Sequence, residues 1–257
     1  MIPKVAYGIV AMIDALGIKN LTISDSQSFI EDLNKVVEHL NVKKKRVQEV
    51  AKELGVNSTP ELIIFGDTLL FAWDISSDAN PYRFLPLWAE WIRSSILAGI
   101  GHNLLFRGAF TIGEYIIDFD HENNKTVLVG PAIADVASWY EEADWIGIIA
   151  TPTCNNHISA IESKVSNIEA WFVKYDVPIK KGILKDNWVV SWPAQMLINS
   201  NAKEIEESIS FYYDLIRQYT IPKGTESKYF NTEIFLKHFI NKYKNKFANR
   251  KKGANKK

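Results

Sequence analysis

The segment Val5–Ile13, VAYGIVAMI, is almost wholly apolar and partly β-branched, and Asp14 follows it at once. A run of nine such residues with no polar alternation predicts a strand buried on both faces. A strand of that kind sits inside a sheet, so its neighbours must also be apolar and its polar end must emerge at a sheet edge. The chain offers a partner. Leu62–Phe65 and Leu69–Trp73 are apolar runs joined through Gly66-Asp67, which predicts a hairpin with Asp67 in its turn. If the hairpin lies beside the first strand, Asp14 and Asp67 meet at one edge.

The remaining elements follow from period and punctuation. Ser24–Leu40 has Phe29, Leu33, Val36, Val37 and Leu40 on one helical face, with Ser24, Asp25 and Ser26 as candidate caps. A second helix is expected over Lys43–Leu54, closed by Gly55, with Lys43-Lys44-Lys45-Arg46 as its solvated start. Pro81 opens a long helix to about Leu97 or Ala98, which Gly99 to Gly101 should stop. Leu104–Ile117 and Thr126–Val129 read as strands around a turn at His121–Asn124, and Gly130-Pro131 starts a helix to about Ala143. Trp145–Ala150 reads as a strand closed by Thr151-Pro152. Beyond it the signal thins to helices over His157–Ser166, Ala202–Gln218 and Thr232–Phe247, with short strands at Trp171-Phe172 and Trp188–Val190. This order predicts an α+β sandwich: a mixed sheet with helices over one face and extra C-terminal helices. The expected division is a core at 1–150, an extension packed on it at 151–241, and a basic flexible tail at 242–257.

Composition limits the function classes. The 257 residues carry 30 basic and 30 acidic side chains, but eight of the basic ones lie at or after Lys242, where there is no acid. The body is therefore acidic and does not resemble a dedicated nucleic-acid binder. No apolar run reaches the roughly 18–20 residues of a membrane span. The first residues lack the cleavage region of a secretory signal. The single cysteine, Cys154, excludes an internal disulfide framework and suits a reducing cytoplasm. The five histidines show no metal-ligand spacing.

Two hard carboxylates at one sheet edge, with water and phosphate oxygens completing the shell, suit Mg²⁺ or Mn²⁺. Gly17 permits close backbone approach to an anion, and the amides of Leu16, Gly17 and Ile18 can cradle phosphates. The same two aspartates also fit plain turn chemistry, Asp14 as a cap and Asp67 as a hairpin residue.

Four blocks in order, VAMIDALG, IIFGDTLLFAW, LFRGAFTIGEYI and VLVGPAIADVASWYEEA, resemble the signature blocks of class III nucleotide cyclases. The resemblance covers about residues 5–150 and is nearest to the compact bacterial branch that includes the pyrimidine cyclases of Pycsar anti-phage systems. It implies that Asp14 and Asp67 hold divalent metal, that Ala15, Leu16, Gly17 and Ile18 meet the triphosphate, and that Arg107 is the basic residue opening the strand after the long helix. It implies a homodimer with active sites between two copies, a nucleoside triphosphate substrate, and a cyclic product read by a separate effector. The departures concern substrate and catalysis. Where purine cyclases carry a Lys and an Asp that read the base, this chain has Ile63 and Val127, which favours UTP or CTP over ATP or GTP. Where the family has a transition-state Asn and Arg, this chain has Ala134 and Ser138. A catalytically silent nucleotide-binding relative, a purine cyclase and a polymerase-like two-metal enzyme are the alternatives.

Overall fold

The computed structural model describes residues 4–18, 21–56, 58–76, 81–120, 125–165, 167–195, 221 and 224–254, together with positions 207, 214 and 216. The apolar first run is strand β1 (Lys4–Ala15), and it lies inside the sheet as its composition requires. β2 (Glu61–Phe65) and β3 (Thr68–Asp74) form the hairpin, and β3 pairs antiparallel with β1. On the other side of β1 runs β4 (Phe106–Asp120), also antiparallel. β5 (Lys125–Val129) folds back on the end of β4, β6 (Gly147–Ala150) pairs with β4 in parallel, and β7 (Phe172–Ile179) and β8 (Gly182–Val190) complete the sheet. The strand order is β2-β3-β1-β4-β6-β8-β7 with β5 on β4. The parallel β4–β6 pair makes the sheet mixed, and the α+β class expected from the sequence is what the chain adopts.

Pleating assigns the faces. Phe71, Phe106 and Phe110 point to one face, where α1 (Ile23–Glu53) and α2 (Leu85–Gly101) form the main helical layer. Trp91 meets Phe71 edge-on at 4.8 Å, Trp88 meets Phe110 at 5.0 Å, and the Trp91 indole donates to Leu40 O at 3.1 Å. Arg107, Thr111 and Gly113 point to the opposite face, and that face is not bare. α3 (Pro131–Trp139) approaches β4 so closely that a Cβ on Gly113 would touch Ala132, and Asp135 accepts from Thr111 Oγ1 and Thr151 Oγ1 at 2.7 Å each. Another helix, α5 (Glu226–Ala254), covers the same face farther along, with Phe235 against Trp145 at 4.3 Å and Tyr175 at 5.0 Å. Thr232 Oγ1 accepts the buried Ile146 amide at 2.8 Å.

Several expectations are corrected. The two helices foreseen before the hairpin are one, because the apolar face continues through Leu40, Val47 and Ala51 without a break. Its cap is Thr22, which exchanges hydrogen bonds with Asp25 in a capping box. Lys43 and Lys44 do not form a solvated start: they lie mid-helix and pair with Glu90 at 3.5 Å and Glu61 at 3.0 Å. α2 does not stop before Gly99. A Cβ there would stand 2.5 Å from Leu104 O, so the glycine admits the β4 lead-in against the helix rather than ending it. α3 ends at Trp139 rather than Ala143. α4 (Pro152–Ile161) starts earlier than His157, with Thr151 as cap accepting from the Cys154 amide and Pro152 in the first turn. β7 and β8 are full strands, joined by a Lys180-Lys181 turn that carries no strong turn signature. α5 runs on through the basic segment from Lys242 as far as Ala254, consistent with its helix-compatible residues and the preference for cations near a helix C-terminus. The helix expected over Ala202–Gln218 falls mostly outside the described residues; positions 207, 214 and 216 are helical. Among the described residues no helix is long and apolar enough to cross a membrane.

Candidate active site

The sheet edge foreseen from β1 is the floor of a cleft of about 840 Å³, on the face of the sheet opposite α1 and α2. The β-register explains why its charged groups converge. Asp14 stands between Thr68 of β3 and Arg107 of β4, so its side chain and that of Arg107 emerge side by side. Asp67 is delivered by the turn that precedes Thr68, where Gly66 takes a left-handed φ of 60°. The Ala15 amide donates to Asp67 O at 3.2 Å, which ties the hairpin turn to the end of β1.

Asp14 is pushed up to about 7 by burial first, then by a hydrogen bond with Asp67 and by the like charge of that carboxylate. Arg107 opposes this with its Nη2 3.6 Å from Asp14 Oδ2. The same Nη2 is 3.6 Å from Glu141 Oε2, and Nη1 donates to Glu141 O at 2.6 Å. Arg107 Nε is buried without a hydrogen-bond partner. Beyond Glu141, Tyr140 Oη donates to Glu141 Oε1 at 3.1 Å and Lys180 Nζ to Oε2 at 3.4 Å.

Every predicted site residue but one lines this cleft. Asp14, Asp67 and Arg107 do, with Ala15, Leu16, Gly17, Ile18 and Ile63. The phosphate-cradle expectation is narrowed: the Leu16 amide already donates to Leu105 O at 2.7 Å, which leaves Gly17, at φ 85°, and Ile18. Val127 is the exception. It pairs with Asp118 on the β4–β5 hairpin, outside the cleft. Ala134 and Ser138 also lie elsewhere, exposed one turn apart on α3. Cys154 is fully buried, and burial pushes its thiol up, which removes it as a nucleophile.

Sequence reading missed Tyr140, Glu141, Lys180 and Lys228, all of which line the cleft. Glu141 follows α3 inside the fourth block and was within reach of inspection. Lys180 and Lys228 come from the C-terminal half, and no local signal brings them to β1.

The cleft is polarised. Met12, Ile63, Phe65 and Leu70 make one apolar wall, and Asp14, Asp67, Glu141, Arg107, Lys180 and Lys228 supply its charges. Among the described residues no group of three or more His, Cys, Asp or Glu is placed to hold a metal. The donor set that exists is the aspartate pair. Two neighbouring carboxylates, one of them raised by burial and by the other's charge, fit a hard divalent cation, which would cancel their repulsion.

No family model matches the chain, and no curated protein does. Solved structures with a similar arrangement include the adenylyl cyclase CyaB from P. aeruginosa, at 10% identity and TM-score 0.44 over 74% of this chain and 96% of that one. A dimeric guanylyl cyclase domain of the RhoGC fusion protein from the fungus Blastocladiella emersonii is similar at 16% identity and TM-score 0.44, over 72% and 97%. Adenylate cyclases from Trypanosoma brucei, in their monomeric state, are similar at 8% and 0.46, over 72% and 87%. Scores of this size leave the assignment of function to the site itself.

Proposed function

We propose that the chain is a metal-dependent nucleotide cyclase that converts UTP or CTP to the 3′,5′-cyclic nucleotide and pyrophosphate. The observation that carries this reading is the convergence of Asp14, Asp67 and Arg107, from three separate sequence blocks, in one cleft with the Ala15–Ile18 loop. The polarity of the cleft supports it. In this reading the base lies along Met12, Ile63, Phe65 and Leu70 and the phosphates among the charges. That apolar wall offers no side-chain donor or acceptor matching the purine-reading pair, and this favours a pyrimidine.

Asp14 and Asp67 would hold Mg²⁺ or Mn²⁺, which when bound neutralises phosphate charge and favours ionisation of an attacking hydroxyl. In the reaction the ribose 3′-hydroxyl loses its proton to solvent as its oxygen bonds to the α-phosphorus, the α–β bridging bond breaks, and pyrophosphate leaves with the bond's electron pair. Arg107, held by Asp14 and Glu141, presents fixed positive charge where negative charge accumulates. The buried β1–β4 register keeps it there without reorganisation.

The working unit in this reading is a homodimer. Val127, Ala134 and Ser138 lie outside the cleft of their own protomer, as expected if those surfaces face the partner's cleft. The setting is cytoplasmic, and the cyclic product signals to a separate effector in defence against phage. Incubating the protein with each of the four nucleoside triphosphates and Mn²⁺, with products resolved by mass spectrometry, tests the proposal. Cyclic UMP or cyclic CMP is expected. No cyclic product from any of the four would favour the silent-relative reading, for which Ala134 and Ser138 speak.

A further inference from the structure

The cleft has a wall that none of the four blocks supplies. The start of α5 and the two residues before it reach the cleft through Lys228, Gly224 and Thr225. The Lys228 side chain is only 12% exposed, and an ammonium so placed requires a strong partner to offset its desolvation. Its partner is weak: Asp144 Oδ1 stands 3.4 Å away, longer than a charge-assisted hydrogen bond. That carboxylate has other donors. Ser227 Oγ reaches Oδ1 at 3.0 Å and Asn231 Nδ2 reaches Oδ2 at 3.3 Å, while Asn231 also donates to the Asp144 carbonyl at 2.8 Å. Asp144 is thus held to α5 by Ser227 and Asn231, and the Lys228 charge is the loosest contact of the group. Arg107 and Lys180 differ, because both are drawn to Glu141.

We infer that Lys228 binds the β- and γ-phosphates of the substrate, exchanging its contact with Asp144 for phosphate oxygens. The inference rests on the nucleotide reading of the cleft and extends it: the C-terminal helix becomes part of the substrate site. As the α–β bond breaks, the departing pyrophosphate gains charge, and Lys228 is placed to neutralise it. A nucleoside monophosphate has nothing to offer this residue, so the effect is specific to the polyphosphate.

The test is calorimetry on the full chain with Mn²⁺, titrating UTP, UMP and inorganic tripolyphosphate into wild type, Lys228→Ala, Lys228→Arg and Asp144→Asn. Lys228→Ala is expected to weaken UTP and tripolyphosphate by about tenfold to a hundredfold, the range of a charge-assisted contact, and to leave UMP unchanged. Lys228→Arg should restore most of the loss. Asp144→Asn separates binding from scaffolding: freeing Lys228 should preserve or tighten tripolyphosphate binding. If Asp144→Asn weakens it as Lys228→Ala does, Lys228 serves to dock α5 and the inference is overturned. Equal losses for UTP and UMP, or no loss at all, overturn it too. Because the readout is binding, a chain that binds UTP but forms no cyclic product defeats the cyclase reading while the role of Lys228 is still decided. Wild type that binds neither polyphosphate overturns both.

Discussion

The carboxylate edge of β1 and the outer face of α3 differ in what they keep. At the edge, Asp14, Asp67 and Arg107 are half-buried or buried and locked by register and hydrogen bonds. On α3, the positions where the resembling family carries an Asn and an Arg are Ala134 and Ser138, both exposed, and Ser138 Oγ merely donates to Asp135 O within its own helix. The groups proposed to hold metal and phosphate line the cleft, and the side chains that the resembling family uses in the transition state are absent from these α3 positions. If the chain turns over, charge stabilisation must come from the cleft's own cations, Arg107 first.

The widest separation between these regions is expected from the two carboxylates proposed to hold metal. Asp14→Asn or Asp67→Asn should lower kcat/KM for cyclisation by about a thousandfold or more, and chelation of divalent metal should do the same to wild type; steady-state product assays measure both. Arg107→Ala should follow, with kcat down about a hundredfold, because a fixed cation at the developing charge is lost. Arg107→Lys should recover only part, since a single ammonium cannot reach both Asp14 and Glu141 as the guanidinium does.

A third prediction concerns pH. Asp14 is raised in the folded protein from an ordinary value of 3.8 to about 7, so between those values the folded state binds more protons than the unfolded state. Stability of the metal-free protein should therefore fall as pH rises from about 4 to about 7, by a few kcal/mol at about 1.4 kcal/mol per unit. Asp14→Asn should flatten that slope in melts run across the range and stabilise the metal-free protein above neutrality. Added Mn²⁺ should do likewise for wild type, with affinity rising as pH rises because the ion competes with the proton on Asp14. A slope that is unchanged in the variant would mean that burial and the neighbouring carboxylate do not raise Asp14 at this edge.

The smallest effect belongs to α3. Ala134→Asn and Ser138→Arg sit on an exposed surface and should change stability by no more than about 0.5 kcal/mol. With Arg107 carrying the charge, turnover should change by less than about tenfold. A large gain in rate from the pair would show that the natural chain is the silent relative.

How much of this was legible depended on whether the signal was local. β1, the β2–β3 hairpin and the two aspartates follow from apolar runs and a Gly-Asp turn, and the antiparallel register then brings Arg107 in. Lys180 and Lys228 were invisible for the opposite reason. Each is an ordinary surface-type lysine by its neighbours, and only the β7–β8 hairpin and the docking of α5 on Trp145 and Tyr175 bring them to the cleft. Gly99 misled because a glycine that admits a close neighbour reads in sequence like one that ends a helix. Val127 was named from the resemblance alone, and a single protomer gives it no place in the site.

The most direct test compares wild type with Asp14→Asn, each incubated with UTP or CTP and Mn²⁺, with cyclic product quantified in the same run. A metal-holding aspartate pair predicts a cyclic pyrimidine nucleotide from wild type and background from the variant. Equal product from both, or none from wild type, would contradict it.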